Sequence, residues 1–139
     1  MNLCVTVSPW FKLLFMIPAY KKDYLLLTEL DATSQDENLF HLWWLGQSGF
    51  LLQWNRKRIL LDPYLSDSLT KKYADTDKPH TRMSELVVRP GLLKNISIVT
   101  SSHNHTDHLD AETLLPVLKN NPGIKFIIPK PTGILLQRG

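Results

Sequence analysis

The chain has 139 residues, of which 43% are hydrophobic and 21% are charged, a composition typical of one globular domain and not of a disordered chain. The 16 Lys and Arg residues exceed the 13 Asp and Glu residues by 3, and their scattered clusters are interpreted as solvated surface, so no nucleic-acid partner is expected. A single cysteine, Cys4, excludes an internal disulfide and a cysteine-based zinc site, and it fits a cytoplasmic protein.

The apolar run over residues 3–19 has the hydrophobicity of a signal peptide or a membrane anchor. Lys12 interrupts this run, Pro9 and Pro18 break it, and it is short for a bilayer span. We therefore expect neither a targeting segment nor a membrane span. A plainer alternative is that Met16 is the natural start of the protein.

Residues 29–39 are polar and acidic, and this composition predicts a linker. The expected organisation is an N-terminal extension and linker over residues 1–38, followed by the folded region over residues 39–139.

Three strands are predicted next, at Phe40–Trp44, Phe50–Trp54 and Arg58–Leu61, with a tight turn over residues 55–57. The glycine-containing turn at residues 46–49 is interpreted as a hairpin turn and not as a phosphate-binding loop, because no helix follows it. Together these elements form a meander of hairpins.

Residues 64–84 show no sustained periodicity and predict a long loop, a feature that is functional or disordered in most compact domains. Residues 85–88 are expected to form a short helical turn that ends before Pro90.

The β-branched run at Ile96–Thr100 predicts a buried strand. Asp110 can cap a helix over residues 111–119, which Pro116 is expected to bend, and residues 124–128 form the next strand. Strand, helix and strand in succession indicate a βαβ unit. The fold class is therefore α/β, with a hairpin meander followed by a βαβ unit.

The six residues HNHTDH, at positions 103–108, place three imidazoles and a carboxylate directly after the predicted buried strand. In an extended loop His103 and His105 can point the same way, whereas Asp107 and His108 lie beyond a bend. Nitrogen and oxygen donors suit Zn²⁺, Mn²⁺ or Fe²⁺, and the sequence leaves the choice among them open. The alternative of solvated surface histidines fits one histidine better than three with an aspartate.

This motif resembles the signature of the metallo-β-lactamase fold superfamily of metallohydrolases. Three further stretches extend the resemblance: WLGQSGFLLQ at 44–53, RILLDPYLSD at 58–67 and PGLLKNISIVTSSHNHTDHLD at 90–110. They are most similar to the branch that contains ascorbate-6-phosphate lactonase and N-acylphosphatidylethanolamine-hydrolysing phospholipase D. The resemblance implies that residues 39–139 are the first half of an αββα sandwich.

The resemblance also implies roles for individual residues. His103 and His105 would ligate a first metal ion, and Asp107 and His108 a second. In members with one ion, Asp107 would instead orient or deprotonate the attacking water. Asp62 would position the histidine loop through a hydrogen bond, although a turn aspartate before proline is an equal interpretation.

The implied activity is metal-assisted hydrolysis of a small-molecule ester, lactone or phosphodiester. The first site has two histidines here, whereas a catalytic zinc normally has three protein ligands. No histidine follows His108. We therefore expect an incomplete site that is weakly active or inactive, and that a missing C-terminal half or a homo-oligomer would complete. The alternative is a non-catalytic metal-binding remnant or an interaction module.

Overall fold

The computed structural model describes residues 16–129, so most of the apolar N-terminal run and the tail from residue 130 lie outside the described residues. Within this range no helix is long and apolar enough to cross a bilayer. The helices are α1 (Tyr24–Ala32), α2 (Ser68–Lys72) and α3 (Ala111–Asn120), with short 3-10 turns at Thr33–Gln35 and Pro90–Leu92. The strands are β1 (His41–Trp44), β2 (Phe50–Trp54), β3 (Lys57–Leu61), β4 (Ile96–Thr100) and β5 (Lys125–Ile127).

The described strands form one sheet in the order β1-β2-β3-β4-β5. The first three strands are antiparallel neighbours, and β3, β4 and β5 are parallel neighbours. The β2–β3 connection is a two-residue turn in which Asn55 and Arg56 have φ of 46° and 59°, the left-handed pair that matches the twist of a hairpin. The prediction of an α/β fold, with a hairpin meander followed by a βαβ unit, is confirmed.

Helices α1 and α3 contribute to the apolar core on one face of the sheet. Leucines four apart in α1, Leu26 and Leu30, point into this core, and Leu114 and Val117 enter it from α3. Asp110 caps α3 as predicted, accepting a hydrogen bond from the Thr113 amide at 3.1 Å. The sheet contributes Leu51, Leu60, Ile96 and Val99.

Arg58 corrects the interpretation of the basic residues as solvated surface, because its side chain is buried. It donates to the Leu30 carbonyl at 2.6 Å, near the end of α1, and to Gln53 Oε1 at 2.6 Å within the sheet. It also pairs with Asp31 at 2.8 Å. A buried guanidinium with these partners joins α1 to the sheet through charge-assisted hydrogen bonds.

Two local predictions were wrong. The segment predicted as a linker from residue 29 is helical as far as Gln35, since the leucine spacing within α1 outweighs its acidic composition. Residues 85–88 form no helical turn; instead Ser84 makes a parallel bridge with Ile17, and the Glu85 amide donates to the Ile17 carbonyl at 2.9 Å. The expected boundary at residue 39 stays a prediction.

The long loop over residues 64–84 is held at both ends by one side chain. Arg82 is buried and donates to the carbonyls of Tyr64 at 3.2 Å, Ser66 at 2.9 Å and Ser84 at 2.8 Å. Helix α2 lies inside this segment, which was predicted as loop throughout. Main-chain carbonyls at both ends of the loop therefore satisfy the guanidinium, and Arg82 holds these two ends together.

The second face of the sheet is apolar and exposed. The strand register places Leu42, Trp44, Phe50 and Trp54 of β1 and β2 together on this face, where no described element covers them. Ile127 of β5 is exposed on the same face, beyond β3 and β4. Contiguous apolar surface of this kind marks an interface or a site of aggregation.

We expect the 139-residue chain to self-associate in solution through this face. Replacing Leu42 and Trp54 together by Glu should raise the monomer fraction in sedimentation velocity, because buried carboxylates oppose face-to-face packing. Leu115→Glu is the matched control, since Leu115 is an exposed leucine of α3 outside this face. A monodisperse monomer of the unaltered chain that unfolds cooperatively would contradict the expectation.

Candidate metal centre

The HNHTDH motif lies at the carboxyl edge of the parallel part of the sheet. Strand β4 ends at Thr100, the motif occupies residues 103–108, and α3 begins at Ala111. Asp62 directly follows β3, which pairs with β4 in parallel, so the two strand ends are neighbours. Open α/β sheets place their ligands at this edge.

Asp62 joins the end of β3 to the motif. Its Oδ1 accepts hydrogen bonds from Thr100 Oγ1 at 2.8 Å and from the Ser102 amide at 3.0 Å. Its Oδ2 lies 2.7 Å from His108 Nδ1 and accepts from the Ser102 hydroxyl. Asp62 also has φ of 43°, a strained conformation for a residue with a side chain. These contacts offset that strain and fix the loop relative to the strand.

The charge of Asp62 is stabilised in this setting. Burial alone would raise the pKa of the Asp62 carboxyl, but the hydrogen bonds from Ser102, Thr100 and His108 outweigh burial and hold the pKa below its usual value. The group is therefore a carboxylate at neutral pH and acts as an acceptor at both oxygens.

The three histidines of the motif lie side by side. His103 Nε2 and His105 Nδ1 are 3.0 Å apart, and the rings of His103 and His108 have centroids 4.1 Å apart. Ligand atoms of Asp62, His103 and His108 all lie within 4.8 Å of one another, a spacing that could hold a metal ion. His103 and His105 are exposed and His108 is partly buried, so the cluster opens to solvent on one side.

Asp107 lies beside this cluster but is not one of the three residues, Asp62, His103 and His108, whose ligand atoms lie closest together. Its Oδ2 is 3.6 Å from His108 Nε2, and its side chain is partly exposed. The structure thus brings His103 and His105 together and Asp107 near His108, and it adds Asp62 to the cluster. Metal ligation by these residues stays a prediction.

The glycine-containing turn between β1 and β2 supports the motif, a role that the sequence interpretation as a simple hairpin turn missed. Ser48 Oγ lies 2.8 Å from the Asp107 carbonyl oxygen and 3.3 Å from that of Asp62. A Cβ at Gly49 would stand 3.2 Å from Pro63 Cα, so only glycine fits without displacing the backbone beside Asp62. The two glycines flanking polar residues were the available signal for this close approach.

A second carboxylate, Asp110, is buried and anchors the far end of the motif. Asp110 Oδ2 accepts from Ser66 Oγ at 2.7 Å and from the Thr113 amide at 3.1 Å, and the Leu65 amide donates to Thr113 Oγ1 at 2.8 Å. Asp110 is 1% exposed. It therefore ties the start of the long loop to the helix that follows the motif, in addition to capping that helix.

Known proteins are similar to a large part of this chain, including the region that contains the motif. A family model described as a beta-lactamase superfamily domain matches residues 41–132. The mitochondrial N-acyl-phosphatidylethanolamine-hydrolyzing phospholipase D of Saccharomyces cerevisiae is 39% identical over 71 residues, which are 51% of this chain and 14% of that protein. Uncharacterized proteins of Mycobacterium bovis and Mycobacterium tuberculosis are 32% identical over 94 residues, which are 68% of this chain and 24% of each relative. The chain thus matches less than a quarter of the length of these relatives.

Asp62→Asn should make the stability of the fold less sensitive to acid. Because the pKa of Asp62 lies below its value in an unfolded chain, its carboxylate stabilises the fold above that unfolded value. The contribution is lost as the pH falls through the lower pKa of the folded chain, in the range below about pH 4. Thermal unfolding should therefore show a smaller fall in Tm between about pH 6 and pH 3 for the variant than for the unaltered chain.

The matched control is Asp75→Asn, since Asp75 is exposed in the long loop, 13 positions further along the chain. Its pH profile should run parallel to that of the unaltered chain. The account of Asp62 fails if the Asp62→Asn profile is parallel as well.

Proposed function

Because this chain belongs to the beta-lactamase superfamily, we propose that it carries the histidine-rich part of the metal site of a zinc-dependent hydrolase. The observation that supports the proposal best is that the donor atoms of the motif lie in two pairs. His103 Nε2 is 3.0 Å from His105 Nδ1, and Asp107 Oδ2 is 3.6 Å from His108 Nε2. Two ligands of one tetrahedral zinc ion are about 3.3 Å apart at usual bond lengths.

The residues fit a divalent ion in donor chemistry as well as in spacing. Imidazole nitrogen and carboxylate oxygen suit Zn²⁺, and Mn²⁺ or Fe²⁺ would be accepted by the same donors. His103 and His105 would hold one ion, and Asp107 and His108 a second. When bound, such an ion supplies a Lewis acid that lowers the pKa of water to about 7 and polarises a carbonyl or phosphoryl oxygen.

Asp62 is proposed as a positioning residue for the histidines. Its two oxygens already accept hydrogen bonds from Thr100, Ser102 and His108, which favours this role over direct ligation. A proton on His108 Nδ1 that is donated to Asp62 leaves the lone pair of Nε2 facing Asp107.

The same carboxylate acts on His103 through Ser102. The Ser102 hydroxyl donates to Asp62 and lies 3.0 Å from His103 Nδ1, where it can accept the ring proton. That proton position leaves the lone pair of His103 Nε2 directed at His105. One carboxylate therefore sets the tautomers of two ligands from two different pairs.

Where only one ion is bound and Asp107 is not a ligand, we propose instead that Asp107 orients the attacking water or holds the proton that the water loses. Its partly exposed carboxylate lies at the open side of the cluster, and Ser48 holds its main chain. The substrate would be a small-molecule ester, lactone or phosphodiester, and a cytoplasmic location is part of the proposal.

The parent activity requires more ligands than the motif supplies. Two histidines are one short of the three protein ligands of a typical catalytic zinc. A further segment of a longer protein, or a second copy of the chain, would provide the remainder. The exposed apolar face of the sheet favours such an assembly. An interaction module without catalytic activity would expose the same kind of surface.

Zinc should bind the 139-residue chain weakly, and isothermal titration should give no tight isotherm with two ions per chain. His103→Ala and His105→Ala should each weaken the binding by about tenfold or more, because each removes a ligand. His80→Ala is the matched control, since His80 lies in the long loop and should leave the affinity unchanged. Equal effects of all three variants would contradict the assignment.

The isolated chain should show little or no hydrolysis of phosphodiesters or lactones, because the ligand set for water activation is incomplete. The measurement is turnover with added zinc, with and without a chelator. Robust turnover that both the chelator and His103→Ala abolish would overturn this expectation, and it would indicate that a second copy supplies the missing ligands.

A further inference from the structure

A small cavity adjoins the metal-binding motif on the side of His105. It has a volume of ≈ 320 Å³ and lies between the end of α2 and the motif. Lys72 and Tyr73, at the end of α2, line it together with His105, Thr106 and Asp107 of the motif. The cavity therefore shares two residues with the proposed metal site and brings a lysine beside them.

Lys72, unlike its neighbour Lys71, has no carboxylate partner among the described residues. Lys71 Nζ is paired with Glu112 at 2.8 Å on the surface. Lys72 forms no ion pair with the described residues; its Nζ lies 3.4 Å from Thr106 Oγ1 and 5.3 Å from the centre of the Tyr73 ring. An ammonium group has three donors, so at least two remain for a ligand at this position.

Resting on the proposed hydrolase function, we propose that Lys72, with Tyr73 and Thr106, forms a subsite for an anionic group of the substrate. The Lys72 ammonium supplies the charge and the Thr106 hydroxyl a further donor for a phosphate or carboxylate, and Tyr73 lines the cavity beside Lys72. Asp107 also lines the cavity, and its carboxylate repels an anion, which favours a position beside Lys72.

This subsite narrows the class of substrate. The substrate carries a negative charge outside the bond that is cleaved, and that charge is held next to His105. An uncharged ester or lactone would leave Lys72 without a partner and would gain no affinity from it.

The test uses inorganic phosphate and acetate as probes of the metal-free chain, with amide chemical shifts as the readout. Phosphate should shift the amides of Tyr73 and Thr106 with a saturable curve. Lys72→Met should weaken phosphate binding about fivefold, the effect of one exposed charge pair. Lys72→Arg should retain it, and Lys71→Met, which removes the same charge one residue away, should leave it within about twofold.

Equal losses from Lys71→Met and Lys72→Met, or no loss from either, would overturn the subsite. Acetate that shifts the same amides as strongly as phosphate assigns the subsite to carboxylates; a response to phosphate alone assigns it to phosphates. Zinc titration of the Lys72→Met chain separates this proposal from the metal site. If Lys72→Met loses phosphate binding but keeps its zinc affinity, the result supports the subsite. If the unaltered chain binds phosphate at Lys72 but binds no zinc, the result contradicts the proposed metal site and leaves the subsite standing.

Discussion

The hydrogen bonds of the Asp62 carboxylate are the constraint on which the candidate site depends. Two parallel strands end side by side, and this one group connects the end of β3 to the loop that leaves β4. It reaches His108 directly and His103 through Ser102. Without it, the rings of His103 and His108 would lose the hydrogen bonds that orient them, and the entropy of fixing them would oppose binding of a common ligand.

The remaining structure brings Asp62 and the motif to this arrangement and keeps them there. Asp62 is held at a positive φ, which persists only because its surroundings fix the backbone. The glycine-containing turn between β1 and β2 supports the motif through Ser48, and the hydrogen bond between Ser66 and the buried Asp110 anchors the end of the motif. Arg82 closes the loop that separates β3 from β4 in the chain. Strain near the site is thus offset by buried polar contacts elsewhere in the domain.

Short sequence patterns predicted those strands, helices and turns whose formation depends on neighbouring residues. The β-branched run of β4 and the cap at Asp110 gave the strand and the helix around the motif, and the hairpin turn at Asn55 appeared where the sequence placed it. The burial of Arg58 and Arg82 was not predicted because each has a main-chain carbonyl partner far away in sequence, Leu30 for Arg58 and Ser66 for Arg82. Periodicity reports which face is apolar and carries no information on such contacts. The acidic composition from residue 29 likewise led to the prediction of a linker where α1 continues to Ala32.

The central claim is that the histidines of the motif ligate one or two metal ions. X-ray absorption of the zinc-loaded chain measures the donors directly. We expect a shell of nitrogen and oxygen donors at about 2.0–2.1 Å from the zinc ion. We also expect outer scattering from imidazole rings that decreases in His103→Ala and stays unchanged in His80→Ala. A shell of water oxygen alone, or one unaffected by loss of His103, would contradict the central claim.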